Sequence, residues 1–163
     1  MRRSTSHLLL SPAQPARPDF AGYATLLWLI AGLFGLRVVG QAIQYWVPHP
    51  ALPPFEAFQG SGLPYPFLLS VQLVILVWMG RVAWRISARR IRARQHAGRL
   101  LAWFGWLYFA CMLARLVIGR AFDTGSPWFE AWIPAVFHLV LAVFVLTLAA
   151  YHQRMSALRF AQA

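Results

Sequence analysis

The chain has 163 residues, 60% of them hydrophobic, with 15 basic residues that are all arginine, 4 acids and a formal charge of +11. The length suits one domain, and the apolar fraction exceeds the roughly 45–50% of soluble proteins. Its single cysteine, Cys111, excludes an intrachain disulfide, a CxxC redox pair and a cysteine metal site, and with them quinone-coupled thiol oxidation.

Twelve of the arginines are Arg2, Arg3, Arg17, the seven within 81–99, Arg154 and Arg159. That is the distribution expected when basic segments stay on the cytoplasmic face. The charge therefore predicts contact with anionic inner-leaflet headgroups near residues 81–99, and not nucleic-acid binding.

In chain order, residues 1–19 carry charges but only a three-leucine apolar core. They read as a disordered cytoplasmic tail, not a cleavable signal peptide. Four apolar segments follow, at about 20–46, 65–86, 100–122 and 131–151. Each matches the roughly 20 residues needed to cross a ~30 Å hydrocarbon core. Tyr45, Trp46, Tyr65, Trp84, Trp103, Trp128, Trp132 and Tyr151 fall near segment ends, as interfacial aromatic residues do. The expected fold class is an all-α integral membrane protein: an antiparallel bundle of four transmembrane helices over 20–152, a basic inner loop at 87–99 and a tail at 153–163. Both termini are expected in the cytoplasm, and the membrane is expected to be the bacterial cytoplasmic (inner) membrane.

The connections differ in chemistry. The inner one is basic and has the composition to extend either flanking helix. The first outer loop, VPHPALPPFEAFQGSGLPYP, holds six prolines and one acid. Its centre at 54–58 is expected to be extended surface chain in preference to a single helical turn. The second outer loop, DTGSPWFE, adds Asp123 and Glu130. In the first segment Ala31 and Gly35 form a small-xxx-small pair, with Gly22, Gly32 and Gly40 on other faces, which predicts a close helix contact there.

The informative residues are polar ones inside apolar runs. Arg37, Gln41 and Gln44 are spaced i, i+4, i+7 and share a face of the first segment. Gln72 lies in the second, Arg115 in the third with Arg120 nearer its end, and His138 in the fourth. At 1.5 Å rise per residue, Arg37 and Arg115 fall roughly 6 Å outward of their segment midpoints, and Gln72 and His138 roughly 4–5 Å. Each segment thus places a polar group in one slab. An intramembrane arginine costs roughly 2.5–3.5 kcal/mol on insertion scales, so both should face inward.

Two arrangements satisfy them. In one, Arg37 and Arg115 reach outward to Glu56, Asp123 and Glu130, to carbonyls or to lipid phosphates, while Gln72 and His138 tie helices together. In the other, Arg37, Gln41, Gln72, Arg115 and His138 form an outward-opening pocket for an anion or carbonyl, since guanidinium groups hold phosphate and carboxylate bidentately. Bis-histidine haem ligation lacks a second buried histidine, and no metal cluster or Ser/His/acid set can be assembled. Cys111 and Arg115 share a face at i, i+4, where the cysteine is expected to be a small packing residue.

The leading functional expectation is a non-catalytic accessory or structural subunit of a membrane assembly, docking on a membrane-protein partner or on copies of itself. The first alternative is a lipid- or quinone-binding protein, with the lipid-headgroup enzyme as its catalytic form. The second is a small oligomeric transporter or channel. No catalytic residue and no resident cofactor is assigned, with quinone or lipid as the ligand classes.

Overall fold

The computed structural model describes residues 20–60, 62–122 and 125–160. The expected tail at 1–19 and the expected counter-ion Asp123 lie outside them. The described chain is helical throughout: α1 (Phe20–Trp46), α2 (Phe55–Phe58), α3 (Tyr65–Ser87), α4 (Gln95–Ala121), α5 (Pro127–Glu130) and α6 (Trp132–Phe160). The four long helices are apolar and long enough to cross a membrane.

α1 is a helix with a seam. Ala24, Leu27, Ala31, Phe34, Val38 and Gln41 are all buried and alternate in steps of three and four, the spacing that keeps one stripe facing a neighbour. The stripe packs on Met79, Ala83 and Ile86 of α3 and on Phe144, Leu148 and Tyr151 of α6. Trp28 Nε1 of α1 donates to Ser87 Oγ at the end of α3 (3.3 Å), and Phe20 and Tyr23 meet Tyr151 edge-on near the end of α6.

The packed pairs are α1 with α3, α1 with α6, and α6 with α4. α1 and α6 are central: 39% and 44% of their most apolar stretches are buried, against 17% for α3 and 11% for α4. The apolar side chains left on α4 are large, with Leu100, Trp103 and Trp106 all more than half exposed. In water such a face is an aggregation liability; in hydrocarbon it is the solvated side.

The first segment packs on α3 and α6 with Ala31 in the core, and tighter glycine contacts sit on α4. Gly98, Gly105 and Gly119 lie seven and fourteen residues apart, on one face. A methyl group on Gly98 would come within 2.8 Å of Gln153 Cγ, one on Gly105 within 2.8 Å of Leu146 Cδ2, and one on Gly119 would overlap the Phe129 carbonyl. In α1, by contrast, Gly35 is in ordinary contact with Leu76 at 3.5 Å, and a methyl on Gly32 or Gly40 meets nothing within 4 Å.

At the arginine-rich end, α3 stops in a Schellman turn. Arg90 N donates to Arg85 O (2.8 Å) and Arg89 N to Ile86 O (2.9 Å), with Arg89 at φ 53° in the position glycine usually takes. The linker from Ala88 to Arg94 is shorter than the expected loop because both flanking helices run into it and α6 holds it. Tyr151 donates to Ile91 O (2.9 Å), His152 Nδ1 accepts from Arg94 N (3.1 Å), and Gln153 donates to Gly98 O (3.1 Å). α6 runs on to Phe160, nine residues past the expected end at 151.

The connection between α1 and α3 departs from the extended chain expected at 54–58. α2 forms one turn, with Pro54 preset at φ −59° ahead of it and Phe58 buried at its end. Burying the Phe58 ring is what the extended alternative would forgo. Cys111 is exposed and does not pack inside the helices, since α4 turns that face outward.

Candidate functional site

Arg37, Gln72, Arg115 and His138 line one cavity of about 160 Å³. Its floor is α1 and α6, through Phe34 and Phe137; α3 supplies Leu68, Val71 and Ile75, and α4 supplies Arg115. Phe58 and Gly60, between α1 and α3, and Trp128, between α4 and α6, complete its lining. α3 and α4 are not among the packed helix pairs, so the cavity lies over the gap between them.

Both guanidinium groups are held by main-chain carbonyls. Arg37 Nη2 donates to Phe58 O (3.1 Å), and its Cζ lies 5.3 Å from the Phe137 ring centre. Arg115 donates to Trp128 O from Nε (3.0 Å) and Nη2 (2.6 Å) and stacks over the same residue's ring at 4.1 Å. Of the partners expected for these charges, acids, carbonyls or lipid phosphates, the structure supplies carbonyls; Glu56 sits on α2 and Glu130 at the end of α5. Gly60 matters here: a side chain there would press within 3.1 Å of Arg115 Nη2 and 3.0 Å of Ala131 Cβ. A residue without a side chain lets the loop close over the cation.

Gln41 is fully buried behind the cavity wall, where its Oε1 accepts from Gln72 Nε2 at 3.1 Å. It supports Gln72 and does not itself line the space. Gln44, on the same face, turns to the outer loop and accepts from His49 N (3.0 Å). His138 Nδ1 is 2.6 Å from the Tyr108 hydroxyl. A phenol O–H donating to Nδ1 fixes the neutral tautomer that carries its proton on Nε2. Tyr108 was not singled out in the sequence, although it lies seven residues, two turns, before Arg115 on the same helix face.

Four buried polar atoms make no hydrogen bond among the described residues: Arg37 Nε, Gln41 Nε2, Gln72 Oε1 and Tyr65 Oη. Two of them, Arg37 Nε and Gln72 Oε1, belong to side chains that line the cavity and are 8% and 5% exposed. An unpaired buried donor or acceptor costs about 1–3 kcal/mol. A group that accepts from Arg37 and donates to Gln72 would recover that cost. Among the described residues no three His, Cys, Asp or Glu side chains converge as a metal site would need.

Chemically the cavity places two guanidinium groups, a glutamine amide and an imidazole among apolar side chains. Two guanidinium groups and an imidazole are a donor set that suits an oxygen-rich anion or a polarised carbonyl. No family model, curated protein or solved structure matches this chain.

Proposed function

We propose that the chain is an integral membrane protein that binds the headgroup of an amphiphile, a lipid or a quinone, in the Arg37–Gln72–Arg115–His138 cavity. It crosses the bacterial inner membrane four times as an antiparallel bundle, with both termini and the arginine-rich linker in the cytoplasm. The arginines at 81–99 against the acids at Glu56 and Glu130 support that orientation. One observation carries the ligand reading. Two side chains that line the same small cavity are more than nine-tenths buried, and each carries a polar atom with no hydrogen-bond partner among the described residues. A purely structural network would pair those atoms within the chain.

The gap between α3 and α4 suits a ligand arriving from the bilayer, with its polar end in the cavity and its apolar tail against Val71 and the outward faces of α3 and α4. The accessory-subunit reading predicts instead that a protein partner covers these faces.

Lipid-dependent thermal stability separates the two. A ligand at a hundred times its Kd stabilises a folded protein by about 2.7 kcal/mol. Added phospholipid or quinone should raise the unfolding midpoint of the wild type in detergent and leave that of Arg37→Ala unchanged, with equal helix content by circular dichroism. An equal rise in both proteins would refute the cavity as the binding site.

A further inference from the structure

The cavity shares two of its walls, Gly60 and Trp128, with a wider cleft of about 970 Å³ that opens outward. The charges of the two spaces are opposite. The inner one is lined by Arg37 and Arg115 and by no carboxylate; the outer one is lined by Glu56 and Glu130 and by no arginine. Gln59, Ser126 and the indole of Trp132 add to the polar and aromatic lining of the outer cleft. Trp128 cannot serve a second cation easily, because Arg115 already covers its ring at 4.1 Å. Trp132, half exposed, is the face left to receive one.

We infer that the site is built for a phosphate–ammonium zwitterion, the headgroup of phosphatidylethanolamine or phosphatidylcholine. Its phosphate lies between Arg37 and Arg115, and its ammonium lies outward between Glu56, Glu130 and Trp132. This rests on the ligand-binding reading above and adds the second charge. A guanidinium pair alone would prefer the most negative headgroup available. Carboxylates at the mouth oppose any ligand whose second group is also anionic and favour one whose second group is a cation. The polarity also sets the direction of seating, phosphate inward and ammonium outward, so that the acyl chains leave sideways through the α3–α4 gap.

The full-length protein in mild detergent would be equilibrated with equimolar phosphatidylethanolamine and phosphatidylglycerol of identical acyl chains, and the retained lipids weighed by native mass spectrometry. The wild type should retain the zwitterion about tenfold better, the effect of one well-placed charge pair. The Glu56→Gln/Glu130→Gln double variant should gain phosphatidylglycerol until the two lipids are retained about equally. Wild type showing no preference, or a double variant keeping the preference, would overturn the assignment while leaving a headgroup site in place. No retained lipid of either kind would overturn the assignment together with the lipid form of the ligand reading. Water-soluble glycerophosphoethanolamine competing as well as the intact lipid would overturn the assignment to a membrane lipid.

Discussion

Arg115 holds Trp128 twice, through two hydrogen bonds of 3.0 and 2.6 Å to its carbonyl and through its ring at 4.1 Å. One guanidinium group thereby fastens the α4–α6 connection beside the cavity that it also lines. Arg115 is thus a lining residue and a loop anchor at once.

Lysine at this position keeps the charge but offers neither the two-pronged bond nor the flat stacking surface. Arg115→Lys should destabilise the protein by about 1–2 kcal/mol and weaken lipid retention. Unfolding in detergent, followed by circular dichroism, reads the first, and native mass spectrometry the second. A variant as stable as the wild type would show that the Trp128 contact contributes nothing.

The Gln41–Gln72 bond joins α1 to α3 at 3.1 Å inside the apolar region. Side-chain hydrogen bonds between membrane helices average about 0.6 kcal/mol by double-mutant cycles. Gln41→Leu, Gln72→Leu and the pair should show a coupling energy of that size. Ligand binding should fall in Gln72→Leu more than in Gln41→Leu, because only Gln72 lines the cavity.

Substituting the glycines of α4 should grade stability by what each methyl meets. Gly119→Ala runs into the Phe129 carbonyl and should be the most damaging, Gly98→Ala next, and Gly105→Ala least, since the Leu146 side chain can turn away. Gly80→Ala meets nothing within 4 Å and should stabilise α3 by up to about 1 kcal/mol through helix propensity. Thermal midpoints of the four variants test the order.

Much of this was legible in the sequence, for identifiable reasons. Four apolar runs separated by proline-rich or arginine-rich chain fix the number of long helices, and α1 begins and ends where the run does. Arg37, Gln72, Arg115 and His138 stand out because each interrupts hydrocarbon-length apolar sequence, and a constant rise per residue converts their positions into depth. What stayed hidden depends on properties that residue type does not carry. The Phe58 and Trp128 carbonyls that hold the arginines are main-chain groups, identical at every position. Tyr108 was masked by being aromatic, a type common throughout membrane helices. Arg89 takes the left-handed turn that sequence would assign to glycine. The long run of α6 brings Tyr151 and His152 into hydrogen bonds with the linker, and Gln153 into one with the first turn of α4, both near only in the folded chain.

Tyr108→Phe should leave the fold intact and release the His138 ring, which loses its 2.6 Å partner. If the imidazole presents its Nε2 proton to the ligand, affinity should drop several-fold with a stability loss of about 1 kcal/mol. Lipid titration by native mass spectrometry checks it. Unchanged affinity would remove His138 from the binding set.

Orientation is open to direct labelling. With Cys111 replaced by alanine, Glu56→Cys should react with a membrane-impermeant maleimide in intact cells, and Arg90→Cys only after the cells are opened. The reverse pattern would invert the whole topology and turn the cavity toward the cytoplasm.

The most direct test of the central claim is the mass of the protein as it leaves the membrane. Native mass spectrometry after extraction in mild detergent should show a discrete added mass of lipid or quinone size, lost in Arg37→Ala and in Arg115→Ala while both variants remain folded. An unliganded chain, or one that arrives with protein subunits and no small molecule, would contradict the account and return it to an assembly component.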